Sequence, residues 1–139
     1  MVCSALSQIM TKAEIHPQIR VLLADDSGVM LRAISRLLDV TPEVALVGVV
    51  GNFEEAVQLA DELQPQIVIL DLRMAQKANA DALRLKAQQR GLRLLAITAA
   101  NVNDDESIAL ASAIGADKLL DKMRLDEELI PAIQELAAK

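Results

Sequence analysis

Four branched apolar residues run directly into a carboxylate in the segment Ile67-Val68-Ile69-Leu70-Asp71-Leu72-Arg73-Met74. An unbroken apolar run of this length, preceded by Pro65 and followed by a polar loop, is typical of a central parallel strand buried on both faces. Asp71 would then end the strand, at the edge where open α/β sheets bind ligands. The alternative is a solvated turn aspartate, because Asp is also common in turns.

Apolar runs and amphipathic segments alternate along the chain from residue 19 onward. Predicted strands cover Ile19–Ala24, Val44–Val50, Ile67–Asp71, Leu92–Thr98 and Asp117–Asp121. Predicted helices cover the residues after Gly28 to about Asp39, Phe53–Leu63, 79–89, Asn103–Ile114 and Asp126–Ala138. Five β–α units in strict alternation predict a doubly wound α/β fold, with a five-stranded parallel sheet and helices on both faces.

Capping residues mark the ends of two predicted helices. Asp26 or Ser27 can cap the first helix. Asn103 and Glu106 have the spacing of a capping box at the start of the fourth helix, and Gly115 is expected to end that helix.

The composition restricts both the core and the class of partner. The chain has 139 residues, enough for one domain, and 53% of them are apolar while only 1% are aromatic. The core must therefore be built from aliphatic side chains. The net charge of −6 argues against nucleic-acid binding, and no apolar run approaches the roughly 18 residues of a membrane span. Cys3 is the only cysteine, which fits a reducing cytoplasm.

Residues 1–18 precede the regular pattern and are expected to form an N-terminal extension. Apolar residues between Leu6 and Ala13 have helical spacing, so a short amphipathic helix is one interpretation. A frayed segment that ends at Pro17 is the other. His16 has no second histidine or paired cysteine nearby in the sequence, so no metal site is predicted there.

Carboxylates end two of the predicted strands. Asp25 and Asp26 follow the first strand, and Asp71 ends the third. In a parallel sheet these residues emerge at one edge, where three carboxylates would repel one another and raise each other's pKa. A hard divalent cation resolves that repulsion, and an all-oxygen ligand set suits Mg²⁺.

A hydroxyl and lysines are expected at the same edge. Thr98 ends the fourth strand, and Lys118 and Lys122 lie near the end of the fifth. Beside a metal, a hydroxyl that donates and an ammonium that neutralises charge suit a phosphoryl group. Asp71 is then a candidate nucleophile that would form an acyl phosphate.

Four motifs, each at a strand end, resemble those of the receiver domains of bacterial two-component response regulators, over about residues 19–138. They are Val21-Leu22-Leu23-Ala24-Asp25-Asp26, Ile69-Leu70-Asp71-Leu72-Arg73-Met74, Ala96-Ile97-Thr98-Ala99 and Gly115-Ala116-Asp117-Lys118-Leu119-Leu120-Asp121-Lys122. In detail the sequence is most similar to receivers attached to LuxR-type transcription factors, without the DNA-binding part. The expected strand order is the flavodoxin-like 2-1-3-4-5.

The resemblance implies a role for each acidic residue at this edge. Asp71 matches the phosphoacceptor, and Mg²⁺ is the implied cofactor. Asp26 matches the direct metal ligand, and Asp25 matches the acidic partner that acts partly through water. The backbone carbonyl of Arg73 matches the third protein ligand.

The resemblance also covers the hydroxyl and the lysine. Thr98 matches the switch hydroxyl of the family. Lys122 matches the invariant lysine because it lies seven positions after Gly115. Lys118 falls where the family usually has glycine, so we interpret it as a surface charge.

The sequence departs from the family at four positions. Ala75 replaces the usual Pro, and Asn79 replaces a Gly in a loop where Asn can still adopt a left-handed turn. Met123 follows Lys122 where many receivers have a cis-proline, so a trans peptide is expected. Leu119 replaces the aromatic ring that usually couples phosphorylation to the output surface.

These observations predict a receiver domain at 19–139, with no output domain, that is not a turnover enzyme. A sensor histidine kinase, a phosphotransfer protein or a small acyl phosphate would donate to Asp71, and another protein would receive the output. A homodimer through the fourth helix, fifth strand and fifth helix is a further expectation, and neither DNA nor membrane contact is expected. The alternatives are a degenerate receiver that acts only as an interaction module and a haloacid-dehalogenase-type phosphohydrolase, whose Asp-x-Asp motif would need Asp where Arg73 stands.

Overall fold

The structure, a computed structural model, describes residues 18–75 and 77–139. Its strands are β1 Ile19–Ala24, β2 Val44–Val50, β3 Ile67–Asp71, β4 Arg93–Thr98 and β5 Lys118–Asp121. Its helices are α1 Gly28–Asp39, α2 Phe53–Leu63, α3 Lys77–Arg90, α4 Asp105–Ala113 and α5 Leu125–Ala137. The predictions for Cys3, His16 and an N-terminal helix lie outside the described residues.

All five strands are parallel, in the order β2-β1-β3-β4-β5. The predicted doubly wound fold and strand order are therefore confirmed. Strand β3 is central, with β1 and β4 on either side of it, and every one of its residues is buried. Ala24 pairs with Leu70 and Asp71 pairs with Ile97, so the carboxyl ends of β1, β3 and β4 lie side by side.

The core consists of two aliphatic layers, one on each face of the sheet. Helices α2, α3 and α4 cover one face, where the buried side chains include Leu22, Phe53, Val68, Leu83 and Ile114. Helices α1 and α5 cover the other face, where they include Leu23, Ile34, Ile69, Leu129 and Ile133. Successive residues of a strand alternate between these two layers, as the period of a strand requires.

Two short 3-10 turns were not predicted from the sequence. They span Leu72–Met74 after β3 and Lys122–Arg124 after β5. Each is capped by the aspartate that ends the strand: Asp71 accepts a hydrogen bond from the Arg73 amide, and Asp121 accepts one from the Met123 amide. The turns fix the direction in which the chain leaves the sheet edge.

The predicted capping box of α4 is wrong. The helix begins two residues later than predicted, and its cap is Asp104, which accepts a hydrogen bond from the Ser107 amide at 3.1 Å. Asn103 instead belongs to the preceding turn, where its backbone amide donates a hydrogen bond to Asn101 Oδ1 at 2.8 Å. Gly115 does end this helix region, in the left-handed conformation at φ 73°, as expected of a helix terminator.

Other local predictions have mixed outcomes. Ser27 caps α1, as predicted, by accepting from the Met30 amide. Asn79 lies within the first turn of α3 and not in a left-handed loop, because the helix begins at Lys77. The described residues contain no cis peptide bond, so the peptide before Met123 is trans. None of the helices in the described ranges is long and apolar enough to cross a membrane.

Candidate functional site

The carboxyl edge of the sheet brings together the three predicted carboxylates. Asp25, Asp26 and Asp71 each offer one oxygen, and these oxygens lie within 4.8 Å of one another. Asp25 and Asp71 are fully buried, while the side chain of Asp26 is 54% exposed. The alternative of a solvated turn aspartate at position 71 is therefore wrong.

Asp25 is held rigidly by its own strand end. Its amide donates to the carbonyl of Val50 at 3.1 Å, which continues the ladder between β1 and β2. Its Oδ1 accepts a hydrogen bond from the Ser27 amide at 2.8 Å. Only Oδ2 of Asp25 is thus left to face the site.

Asp71 is oriented in a similar way. Its Oδ1 accepts a hydrogen bond from the Arg73 amide at 3.3 Å, and its Oδ2 points into the same buried space as Oδ2 of Asp25. Neither Oδ2 atom accepts a hydrogen bond from the described residues, although both are fully buried. The Lys122 ammonium nevertheless lies within ion-pair distance of both atoms. Two buried carboxylate oxygens that share a single ammonium are a favourable place for a further cation or for an incoming group.

Lys122 supplies the positive charge closest to these oxygens. Its Nζ lies 2.9 Å from Asp25 Oδ2 and 3.4 Å from Asp71 Oδ2, and its side chain is only 6% exposed. The 3-10 turn after β5 directs it inward. Lys118, at the start of β5, instead pairs with Glu135 on α5, so it is outside the site.

Thr98 lies at the end of β4, one residue beyond the partner of Asp71 in the sheet. Its side chain is buried, and its Oγ1 accepts a hydrogen bond from the Ala100 amide at 3.1 Å. That bond uses an acceptor position only, so the hydroxyl proton can still be donated. Thr98 lines a cavity between the sheet edge and α4, together with Leu72 and Ser107.

The side chain of Arg73 is a part of the site that the sequence did not reveal. Its Nη2 lies 3.5 Å from Asp26 Oδ1 and 3.6 Å from Asp71 Oδ2. The available signal was an arginine two residues after a strand-end aspartate, which alone does not say where the side chain points. From the sequence, only the backbone carbonyl of Arg73 was expected to take part, as a metal ligand.

The electrostatic balance of the site acts mainly on Asp71. Burial raises the pKa of the Asp71 carboxyl above its ordinary value, and the negative charge of Asp25 raises it further. The charges of Lys122 and Arg73 act in the opposite direction, as does the hydrogen bond from the Arg73 amide. The burial of Asp71 and the neighbouring charge of Asp25 both make a further cation favourable at this site.

The donor set fits Mg²⁺. Within the described residues, the ligand atoms brought together here are carboxylate oxygens, from the fully buried Asp25 and Asp71 and the exposed Asp26. Hard oxygen ligands from a few carboxylates, with the remaining positions left to water and phosphate, are what Mg²⁺ usually takes in proteins. Asp25, Asp26 and Asp71 are the side chains that would hold it.

A comparison with protein families identifies this arrangement. The family model described as "Response regulator receiver domain" matches residues 21–134. The chain belongs to this family. It is a receiver domain of two-component signal transduction, and the resemblance drawn from the strand-end motifs is thereby confirmed.

Individual response regulators are also similar to this chain in sequence and in structure. The nitrate/nitrite response regulator protein NarL of Escherichia coli strain K12 is 29% identical over 118 residues, which cover 85% of this chain and 54% of NarL. The chain thus spans about half the length of this curated relative. A two-component response regulator of the LuxR family from Aurantimonas sp. SI85-9A1 has a similar structure, with 28% identity, a TM-score of 0.74, and coverage of 88% of this chain and 87% of that one.

A third comparison concerns the fold alone. The structure of the P1 domain of CheA3 in complex with CheY6 from R. sphaeroides matches with 22% identity and a TM-score of 0.76, covering 89% of this chain and 100% of the matched one. The doubly wound sheet of this receiver is thus shared with a chain of low sequence identity.

Proposed function

We propose that this receiver accepts a phosphoryl group on Oδ2 of Asp71. The observation that carries the proposal is the position of that oxygen: it is buried, accepts no hydrogen bond from the described residues, and lies 3.4 Å from the ammonium of Lys122. A carboxylate oxygen in this position is an oriented nucleophile with a cation ready to neutralise the incoming charge.

The transfer is a displacement at phosphorus. Oδ2 of Asp71 forms the new P–O bond as the bond between phosphorus and the donor's leaving atom breaks, and the bonding electrons depart with the leaving group. Lys122 neutralises charge on the phosphoryl oxygens, and the Thr98 hydroxyl donates a hydrogen bond to one of them. The product is an acyl phosphate on Asp71.

Mg²⁺ is the proposed cofactor, and when bound it supplies further neutralisation of the phosphoryl charge. Asp26 and Asp71 are the proposed direct carboxylate ligands, with Asp25 acting partly through water and the backbone carbonyl of Arg73 as the third protein ligand. The close approach of the three carboxylate oxygens supports this assignment.

The proposed donor is a sensor histidine kinase, a phosphotransfer protein or a small acyl phosphate. The P1 domain seen with CheY6 makes a phosphotransfer partner of that kind reasonable for this receiver. We propose residues 19–139 as the receiver unit, without turnover of a separate substrate. The output is proposed to pass to another protein through the face of α4, β5 and α5, where a second copy could also bind, and not by direct contact with DNA.

The test is intact-mass measurement after incubation of the protein with a small acyl phosphate. We expect a gain of one phosphoryl mass when Mg²⁺ is present and little or none when a chelator removes it. A receiver that acts only as an interaction module would gain no mass under either condition. Steady release of inorganic phosphate from many phosphomonoesters would instead favour the hydrolase alternative.

A separate prediction concerns the switch from phosphorylation to output. Leu119 occupies the position of the usual aromatic ring, is partly buried, and pairs with Ala96 across the sheet. Leucine has less apolar area than a ring to bury, and the stabilisation scales at about 25 cal/mol per Å². We expect the phosphoryl mimic beryllofluoride to change amide exchange of residues 99–121 only slightly, because the coupling free energy is small.

The matched control for the switch is Leu119→Phe. It restores a ring at the position, and we expect the mimic to protect residues 99–121 more strongly in this variant than in the wild type. A large cooperative gain of protection in the wild type itself would contradict the prediction, since it would show that leucine couples as well as a ring.

A further inference from the structure

Arg73 occupies an unusual place for a cation in a site that is expected to bind a metal. Its guanidinium lies over the same two carboxylates, Asp26 and Asp71, that are the proposed direct metal ligands. The backbone carbonyl of the same residue is proposed as a third ligand. One residue thus contributes both a group that would hold the metal and a charge that opposes it.

The geometry shows that this ion pair is loose. A single nitrogen, Nη2, approaches both carboxylates, at 3.5 and 3.6 Å, and the arginine side chain is 64% exposed. Strong arginine–carboxylate pairs are bidentate and closer than this. Exposed pairs of this geometry contribute little to stability, so little free energy is needed to displace the guanidinium.

Lys122 differs from Arg73 both in its exposure and in the distance of its ion pair. It is almost fully buried and lies 2.9 Å from Asp25 Oδ2, so moving it into water would remove the ion pair of buried Asp25 and leave buried Asp71 with only the exposed Arg73. When another cation arrives, the exposed arginine is the group that can leave. Within the described residues, Arg73 is also the cation paired with Asp26.

We propose that the Arg73 side chain is a tethered counter-ion that occupies the mouth of the site in the metal-free state and must be displaced by Mg²⁺. This inference rests on the proposed function, because it assumes that Asp26 and Asp71 bind the metal. Arg73 stabilises the empty site and opposes the filled one. It thereby raises the Mg²⁺ concentration that the receiver needs before it can accept a phosphoryl group.

The proposal predicts opposite effects of one substitution in two states. Arg73→Gln keeps a side chain of similar length and removes the charge. Without divalent cations its melting temperature should be lower than that of the wild type, because the carboxylates lose a counter-ion. At saturating Mg²⁺ its melting temperature should equal or exceed that of the wild type, because a positive charge beside the metal has been removed.

Magnesium binding is the second readout, measured by calorimetry with MgCl₂ alone and no phosphoryl donor. We expect Arg73→Gln to lower the half-saturating Mg²⁺ concentration about three- to tenfold, from loss of the ion pair and of the repulsion between like charges. Arg73→Lys keeps the charge and should remain close to the wild type. Arg36→Gln makes the same change in net charge in the last turn of α1, at the opposite edge of the sheet, and should change nothing.

Four outcomes would overturn the proposal, and they are distinguishable. If Arg73→Gln binds Mg²⁺ with wild-type affinity, the guanidinium does not compete with the metal. If Arg73→Gln binds Mg²⁺ more weakly, the arginine supports the metal instead of opposing it. If the wild type does not bind Mg²⁺ at all, or if Asp26→Asn binds it equally well, the carboxylates do not form the metal site and the proposed function loses its cofactor as well.

Discussion

Asp71→Asn should abolish phosphoryl transfer from a small acyl phosphate, with no phosphoryl mass gained under conditions that fully modify the wild type. The amide oxygen of asparagine carries no negative charge and is a far weaker nucleophile than a carboxylate. The side chain has nearly the same shape, and its oxygen can still accept the hydrogen bond from the Arg73 amide that now goes to Oδ1. The loss would therefore be chemical and not structural.

The matched control for this variant is Asp121→Asn. Asp121 also ends a strand and also caps a 3-10 turn, by accepting a hydrogen bond from the Met123 amide at 2.9 Å. It makes the same kind of local contact as Asp71 but lies outside the carboxylate cluster. The Asp121→Asn variant should gain a phosphoryl group on Asp71 at the wild-type rate. A phosphoryl mass on Asp71→Asn that forms as fast as on the wild type would show that another residue is the acceptor.

Lys122→Met should destabilise the metal-free protein by about 3–5 kcal/mol, the usual cost of removing one member of a buried ion pair. The methionine chain fills much of the space, so the effect is mainly electrostatic. Asp25 and Asp71, both fully buried, would be left without the ammonium between them. The free energy of unfolding, measured with denaturant in the presence of a chelator, is the quantity to compare.

The stability lost in Lys122→Met should depend on pH, because it depends on the charge of Asp71. In the wild type the folded-state pKa of Asp71 is already raised, and the charge of Lys122 opposes the rise. Without the lysine the pKa should rise further, so the folded state binds a proton more tightly than the unfolded state. The variant should therefore regain stability as the pH falls through the raised folded pKa toward the unfolded value, and lose it again as the pH rises.

Two further variants separate the charge effect from general damage. Asp71→Asn in the Lys122→Met background removes one of the two buried carboxylates that have lost the ammonium, and it should restore much of the lost stability. Lys118→Met removes a lysine whose partner, Glu135, is exposed at the surface of α5, so its effect should be much smaller. An equal loss of stability in Lys118→Met and Lys122→Met would contradict the prediction, because it would mean that the buried ion pair stabilises the protein no more than an exposed one.

The fold could be predicted because its signal is repeated along the chain. The run from Ile67 to Leu70 has no polar residue, and such a run is compatible with a central strand but not with a half-exposed one. Strict β–α alternation then leaves few topologies. Helix boundaries were less accurate because neighbouring residues compete to cap a helix: the side chain of Asp104, and not that of Asn103, accepts the hydrogen bond from a free amide at the start of α4.

The candidate site could be predicted to the extent that the backbone determines it. Asp25, Asp71 and Thr98 end adjacent parallel strands, so the topology alone brings them to one edge. The two lysines of the β5 region could not be separated by spacing without the family pattern, and it is the turn after β5 that directs Lys122 inward. The position of the Arg73 guanidinium depends on side-chain torsions and on a distant residue, Asp26, and neither is readable from a local pattern.

The hydrogen bond between the Arg73 amide and Asp71 Oδ1 makes the two oxygens of one carboxylate inequivalent. A free carboxylate rotates and presents either oxygen to a donor, whereas here Oδ1 is fixed to the backbone and Oδ2 alone faces Lys122. Part of the rotational entropy that transfer would otherwise lose is thus already lost on folding. Modification of Oδ2 would not use the oxygen that caps the turn at Leu72–Met74, so we expect this turn to keep its conformation in the phosphorylated receiver.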